Sequence, residues 1–559
     1  MNNLLIDNDN SIYKNYCHHH IKFKATDNID KYISTVIIPQ LLLKHDFSTL
    51  YIKDTLSSNY LELHGIILAY HIRLSKELKE KRFVPIVILS DTTRDILNKI
   101  DPIARILFTK NIYLIPNTTE AIKKFQTKDF KPLEESEFNS HFLDLITVAP
   151  PENSTSHSIA NEWAIERWAY LLGIENNKTI EKNRKKMSSM LYFKYLKQKY
   201  ILDESEGIIE ENKNLTGTLL FIDDKGLNGW NRIVKTYMTK SYPNITFELL
   251  RNKYKEFDSI KKSLEVYIEK NAPNIILLDL RLLKEDANKD EIEDITGIKI
   301  LKAIKELNPS IQVIMFSASN DSSILDNIRD EGILGYVKKD APDDKYKSFN
   351  DGFEKLGVLI ERGIERKYLM DVYQIQKEME EFDFLKLDDE KINEIKQVIK
   401  IVFKVLNSNM PDNYIFAIQS IYKCIETICT YYILEKKEDK DEPHGPKKYV
   451  ACWRNDNSNS NIGNTSTWNK LSKIKERFDI KYEDNLFYNL KDIRNKSIHP
   501  AYILDNTNIK TKDIIKWFEL VKNIVDKLKL DKDIIPEIIN TSKQKKKKIQ
   551  PEIKMVLLI

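Results

Sequence analysis

Five polar side chains in the middle of the chain follow apolar segments in an order that suits phosphoryl-transfer chemistry. Asp223 and Asp224 end the segment LLFIDD, and Asp279 lies in IILLDL. Further along, Ser317 lies in VIMFSAS and Lys339 in GYVKKD. A phosphoacceptor aspartate needs carboxylates that hold Mg²⁺, a hydroxyl that contacts the arriving group and an ammonium that neutralises its charge. We therefore predict a phosphoacceptor at Asp279, with Mg²⁺ held by Asp223, Asp224 and Asp279.

A second set of side chains suits RNA chemistry. The segment NLKDIRNKSIHP contains Arg494, Asn495 and His499. RNA carries its own nucleophile, the 2′-hydroxyl, so cleavage needs a group that titrates near neutral pH and a cation for the phosphate, which histidine and arginine supply without a metal. Positions five apart on a helix differ in direction by about 140°, so one pair does not share a face, and two facing pairs would ease the geometry.

The elements that must position the first set alternate between strands and helices. Between residues 216 and 345 the apolar segments TLLFIDD, NITFELL, NIILLDL, IQVIMFSAS and ILGYVKKD predict five strands with helices between them. This alternation predicts a doubly wound parallel sheet, in which the carboxyl ends of the strands meet at one edge. Residues far apart in sequence are then expected to converge there.

This pattern resembles the receiver domain of bacterial response regulators over residues 216–345. The acidic pair, the acceptor and Lys339 match in order, Ser317 matches the switch hydroxyl, and Tyr336 matches the aromatic residue that rotates with it. Lys338 is the alternative lysine, but the family separates the aromatic residue and the lysine by three positions. The resemblance implies a histidine kinase or another phosphodonor as a partner. A receiver that serves only as a docking module stays open.

The segment also departs from the receiver pattern at two points. Asp340 stands where these receivers usually have proline. After Asp279 the insert KEDANKDEIEDI precedes Gly297, which makes that loop about ten residues longer than the family pattern. Because the loop lies beside the predicted site, the choice of partner is expected to differ.

Residues 1–145 also predict an α/β domain, with TVIIPQLLL, TLYIKD, VPIVILSD and IYLIPNT as buried strands. Asp54, Gly65 and Ser90 resemble the third strand, third helix and fourth strand of a receiver. No acidic pair precedes them, and IYLIPNT offers no lysine. The domain is either a degenerate receiver that binds Mg²⁺ poorly or an unrelated α/β domain.

The rest of the chain is predicted to be helical, which gives a multidomain protein of class α/β plus all-α. We expect a helical connector at 146–215, a helical linker at 346–405 and an all-helical domain at 406–530, followed by a tail at 531–559 with the basic run KQKKKK. With its Arg–Asn–His motif the helical domain resembles the HEPN superfamily. The resemblance implies a homodimeric endoribonuclease that needs no cofactor. Its catalytic residues would be Arg494, Asn495 and His499.

Composition limits the remaining choices. The 559 residues are 42% hydrophobic and 31% charged with a net charge of +4, which suggests three or four soluble domains. The four cysteines form no CxxC pair, and neither a secretory signal nor a membrane span is visible, so a cytoplasmic protein is expected. The two resemblances imply a receiver that controls a HEPN-type ribonuclease, in a setting such as prokaryotic stress or phage defence. The alternative is a non-catalytic adaptor whose helical domain only dimerises or docks partners.

Overall fold

The computed structural model describes most of the chain up to residue 528. The described residues are 2–8, 12–24, 26–43, 47–128, 130–152, 154–200, 212–289, 291–318, 332–339, 351–380, 390–408, 413–437, 449–453, 465–482, 484–498 and 509–528.

The first unit is a five-stranded parallel sheet with the strand order β2-β1-β3-β4-β5. Its strands are β1 Asn3–Asp7, β2 His19–Lys22, β3 Thr49–Lys53, β4 Ile86–Leu89 and β5 Ile112–Ile115. Its α-helices are Ile29–Tyr32, Ile38–Leu43, His64–Leu74, Arg94–Ile100, Thr119–Gln126 and Phe138–His141. Strands β1, β3 and β4 are almost wholly buried, as is expected for a parallel sheet covered on both faces.

One of the predicted strands of this unit is wrong. TVIIPQLLL forms a π-helical turn, Ile33–Ile37, and then the helix Ile38–Leu43. Ile37, Ile38 and Leu41 are its buried positions, and their spacings of three and four residues are those of one helix face. A short apolar run does not by itself distinguish a strand from a buried helix. Strands β1 and β2 were not predicted at all.

The second unit repeats this topology. Its strands are β6 Gly217–Ile222, β7 Ile245–Leu249, β8 Ile275–Leu278, β9 Gln312–Ser317 and β10 Gly335–Lys338. All are parallel, in the order β7-β6-β8-β9-β10. Helices Trp230–Ser241 and Asp351–Glu365 share a core with one face of this sheet, and Phe257–Asn271 and Thr296–Leu307 with the other. The coarse prediction of an α/β architecture is therefore confirmed.

A single helix, Ser156–Leu171, packs into both units. Ile159 and Trp163 belong to the core of the first unit, whereas Ile165 and Trp168 belong to that of the second. The helices Lys178–Ser189 and Leu191–Lys199 follow it, and the latter packs into the first core. The segment predicted as a connector is thus built into both cores.

The remaining elements share a mainly helical core. Its helices are Tyr368–Glu380, Glu390–Asn407, Asn413–Tyr432, Thr467–Phe478, Asp484–Ile498 and Thr511–Leu528. The region predicted to be all-helical also contains an antiparallel hairpin of β11 Ile433–Lys437 and β12 Tyr449–Trp453. The aromatic and β-branched side chains of YVACW favour a strand there. Among the described residues, no helix is long and apolar enough to cross a membrane.

The chain passes from the second unit into this helical core without a free stalk. The helical linker expected at 346–405 contains the helix Asp351–Glu365, which packs on the second sheet, and the helix Tyr368–Glu380, which packs in the helical core. At the junction Arg366 donates a hydrogen bond to the carbonyl oxygen of Leu406 (3.2 Å). This hydrogen bond therefore holds the helical core at the end of the second unit.

Replacing Trp168 with alanine should destabilise the second unit. The buried Trp168 ring lies 4.1 Å from Phe353 and 5.5 Å from both Trp230 and Phe316, measured between ring centroids. Loss of a buried aromatic side chain costs about 3–5 kcal/mol. Urea unfolding followed by far-UV circular dichroism measures this. Tyr170→Ala is the control, because Tyr170 is 49% exposed on the same helix. Equal losses in the two variants would contradict a structural role for the Trp168 contacts.

Candidate functional site

The strand ends of the second sheet bring the first set of side chains together. Asp223 and Asp224 directly follow β6, Asp279 follows β8, Ser317 is the last residue of β9 and Lys339 follows β10. The strands β6, β8, β9 and β10 are neighbours in the sheet and run in one direction. Their carboxyl ends therefore form one edge, where ligands bind in doubly wound folds.

The centre of this edge is a buried ion-pair network. The ammonium Nζ of Lys339 lies 2.8 Å from Oδ2 of Asp223 and 2.9 Å from Oδ2 of Asp279, and all three side chains are fully buried. Asp224 pairs instead with Lys225 at 2.6 Å. The Lys339 ammonium also lies against aromatic rings, at 5.0 Å from the ring centroid of Trp230. Removing either partner of such a pair would leave a buried charge uncompensated.

Burial shifts the titration of these groups. The pKa of Asp223 is raised to about 7 by burial, which Lys339 opposes and Asp279 reinforces. Burial and the charge of Asp279 also raise the pKa of Asp224. Burial lowers the pKa of Lys339, but Asp223 and Asp279 outweigh it, so that pKa lies above its usual value. The site thus gathers more carboxylates than its buried ammonium can neutralise.

The carboxylates fit a hard divalent cation. Among the described residues, oxygen atoms of Asp223, Asp224 and Asp279 lie within 4.8 Å of one another. Mg²⁺ prefers oxygen ligands, and it binds through one or two carboxylates together with phosphate and water. Asp224 is the most accessible of the three, since its side chain is 16% exposed. These three residues would hold the ion, which would relieve their mutual repulsion.

Tyr336 lies beside the predicted switch residue. Its hydroxyl donates a hydrogen bond to the carbonyl oxygen of Ser317 at 3.3 Å, and its ring is half-buried. Ser317 is fully buried. A displacement of Ser317 would therefore change the hydrogen bond that orients Tyr336.

An open cleft leads from the acidic pair toward solvent. Its volume is about 1290 Å³, and its lining contains Asp223, Asp224 and the basic side chains Lys235, Arg251, Lys253 and Lys255. Tyr254 closes one side of it, with its hydroxyl accepting a hydrogen bond from the backbone N–H of Asp223 (3.3 Å). Cations in such a cleft raise the local concentration of anionic ligands.

The insert after Asp279 is held by a buried aspartate that the sequence did not single out. The carboxylate of Asp286 accepts hydrogen bonds from the backbone N–H groups of Leu282, Leu283 and Thr296, and from the Thr296 hydroxyl. Lys289 pairs with the same carboxylate at 2.7 Å. Burial alone would raise the pKa of Asp286, but these donors lower it below its usual value.

The first unit can be aligned with the second position by position, because Gly65 and Gly297 make the same close contact with the end of the third strand. The N–H of Gly65 bonds to the carbonyl of Asp54, as that of Gly297 does to Leu280, at 2.9 Å each. A Cβ atom on either glycine would collide with that carbonyl and the preceding one. Lys53 therefore occupies the position of Asp279. The strand pairing agrees, since Ile6 faces Ile52 as Ile222 faces Leu278.

Other site positions of the first unit also differ. Asp7 ends β1 where Asp223 follows β6, and it contacts Nε2 of His20 at 2.7 Å. Asn8 follows it in place of a second acid. Ser90, matched by its register, bonds to Asp54. Asp54 therefore stands one residue beyond the acceptor position, and the described part of the first unit lacks the three-carboxylate arrangement.

Comparison with known families agrees with this difference. Residues 1–115 match the family described as the inactive receiver domain. The first unit is thus receiver-like, with a five-stranded parallel sheet and a lysine where an acceptor aspartate would stand. No curated protein matches the chain.

The second set of predicted residues is placed only in part. Arg494 and Asn495 lie on the helix Asp484–Ile498, where a guanidinium N–H of Arg494 donates to the side-chain oxygen of Asn495 (3.1 Å). The Arg494 guanidinium also lies 4.8 Å from the centroid of the Tyr422 ring. His499 and the basic tail lie outside the described residues. The family match does not extend to this region.

We expect Mg²⁺ to stabilise the protein through Asp224. A ligand that binds only the folded state adds about 2.7 kcal/mol at a hundred times its Kd. Thermal unfolding in Mg²⁺ and in EDTA should differ for the wild type and hardly at all for Asp224→Asn, which leaves the Lys339 network intact. Asp258→Asn, at an exposed position, is the control and should respond like the wild type. An undiminished Mg²⁺ shift in Asp224→Asn would exclude this site.

Proposed function

We propose that the protein is a signalling regulator whose second α/β unit is a phosphoacceptor receiver, with Asp279 as the residue that takes the phosphoryl group. The observation that supports this most directly is the buried Lys339 ammonium, which joins Asp223 and Asp279 at the carboxyl edge of the sheet. The degenerate first unit supports it by contrast, because Lys53 stands at the matching position there.

Each side chain has a definite role in this proposal. An oxygen of Asp279 bonds to phosphorus as the bond to the donor's leaving atom breaks, and the electron pair leaves with the donor. Asp223 and Asp224, together with Asp279, would hold Mg²⁺, whose charge would offset that of the phosphoryl oxygens. Lys339 already contacts Asp279 and would pair with the new phosphoryl oxygens. Asp279 is fully buried, so the transfer also requires the edge to open.

In this proposal the phosphodonor approaches through the open cleft beside Asp223 and Asp224. Lys235, Arg251, Lys253 and Lys255 line it together with the acidic pair and Glu248. The four basic side chains would attract an anionic donor toward the carboxylates that would hold Mg²⁺. A cognate histidine kinase or a small phosphodonor would use the same approach.

Asp279→Asn should abolish phosphorylation. Acetyl phosphate with Mg²⁺ should give a phosphoryl adduct on the wild type, detected by intact-mass spectrometry, because the carboxylate is the nucleophile. Asp54→Asn is the matched control in the first unit and should leave the adduct unchanged. A wild type that stays unmodified, under conditions that label another receiver, would favour the docking-only alternative.

We propose further that the helical domain after the receiver is its effector and that it cleaves RNA as a homodimer. Arg494 is oriented by Tyr422 and Asn495, which would present a fixed donor group to a phosphate. His499 would transfer the proton. The same contacts also suit a purely structural arginine, which favours the adaptor alternative in which the domain only dimerises or docks partners.

RNA cleavage distinguishes these two candidates. If the domain is a nuclease, labelled RNA in EDTA should give 2′,3′-cyclic phosphate ends, and His499→Ala and Arg494→Ala should each lower the rate about 100-fold or more. Lys496→Ala is the control, since Lys496 pairs with Asp492 on the exposed side of the same helix. If both variants cleave like the wild type, the adaptor candidate is favoured.

Subunit mixing tests the dimer. If the two motifs form one shared cleft, mixing Arg494→Ala and His499→Ala chains should restore part of the activity.

A further inference from the structure

The helix Ser156–Leu171 and the helical domain contact opposite edges of the second sheet. The helical domain is tied to the amino edge, where Asn407 donates to the carbonyl of Pro309 (3.1 Å) and Lys367 to that of Thr216 (3.3 Å). Both carbonyls precede strands of the sheet. The helix Ser156–Leu171, by contrast, lies at the carboxyl edge, next to the phosphoacceptor site.

Four contacts fasten this helix beside the site. Ala160 packs against Ala318, the residue after Ser317. The side-chain oxygen of Asn161 accepts the indole N–H of Trp230 at 3.1 Å, and this pair is buried. The Trp168 ring packs on both Trp230 and Phe316. A Cβ atom added to Gly229 would lie 3.0 Å from the Ile165 side chain, so the backbone approaches closely there.

The groups touched by the helix are the immediate neighbours of the predicted reacting groups. The Lys339 ammonium lies 5.0 Å from the ring centroids of both Trp230 and Phe316. Ser317 stands between Phe316 and Ala318 in the chain, and successive residues of a strand point to opposite faces. A backbone shift at Ser317 would therefore also move Phe316 and Ala318, which rest on this helix. A shift of Lys339 would change its contact with the Trp230 and Phe316 rings.

The other face of the helix is fixed in the first unit. Ile159 and Trp163, one turn apart, are buried in its core. Glu166 pairs with Arg184 of the helix Lys178–Ser189 (3.1 Å). At the end of that helix, the carbonyl of Ser189 accepts the hydroxyl of Ser34 at 3.0 Å. Packed interiors transmit displacements because they contain little free volume.

We propose that the helix Ser156–Leu171 senses the state of Asp279 through Asn161, Ala160 and Trp168 and relays it to the degenerate first unit. The first unit is then an output partner of the receiver, and Asn161 connects the helix to the Trp230 indole, which lies beside Lys339. This inference rests on the proposed phosphorylation of Asp279, but it does not depend on RNA cleavage.

Hydrogen exchange of the full-length protein tests the relay. With Mg²⁺ and acetyl phosphate, amides of Ser156–Leu171 and of Ile33–Ile37 should change their exchange rates about fivefold or more, and Asp279→Asn should abolish the change. Intact mass, measured on the same samples, reports phosphorylation separately. An adduct without any exchange change in these segments overturns the relay and leaves the proposed phosphorylation standing. Absence of the adduct overturns both.

Asn161→Leu separates a relay from simple packing. Leucine has a similar size but cannot accept the Trp230 N–H, so the variant should still form the adduct while the response at Ile33–Ile37 falls to less than about half. Tyr170→Ala, on the exposed side of the helix, should keep the full response. A full response in Asn161→Leu would remove Asn161 from the relay. If that variant fails to fold, the wild-type comparison still decides the proposal.

Discussion

The contact between the Lys339 ammonium and the carboxylates of Asp223 and Asp279 is the constraint on which the carboxyl edge of the second sheet depends. The two buried carboxylates can share this space only because each pairs with the Lys339 ammonium at hydrogen-bond distance. The surrounding rings of Trp230 and Phe316 keep water away and strengthen the electrostatic interactions. A new charge on Asp279 would therefore act on a network that cannot dissipate it into solvent.

The two parallel sheets show how one topology supports two different edges. Both have the strand order 2-1-3-4-5, counted within each unit, and both bring a helix so close to the third strand that only glycine fits. The framework is thus retained where the chemistry differs. In the first unit Lys53 occupies the acceptor position, and Asp7 pairs with His20. Such an edge suits a structural or receiving role better than phosphoryl transfer.

The strands of the second unit could be predicted from the sequence because each is an apolar segment, and the parallel topology alone brings their carboxyl ends together. It failed where the outcome depended on packing. TVIIPQLLL is apolar enough for either a strand or a helix, and the spacing of its buried residues decides. Asp54 and Lys53 are neighbours, and only the close approach of Gly65 shows which one stands at the acceptor position. The bond from Trp230 to Asn161 spans 69 residues, and no local pattern predicts it.

The Asp286 carboxylate anchors the insert after Asp279. One buried side chain fixes backbone groups at both ends of the insert. These anchored ends therefore have little conformational entropy left to lose when another molecule contacts them. Because the ends are preorganised, they would discriminate by steric fit among the molecules that approach the carboxyl edge.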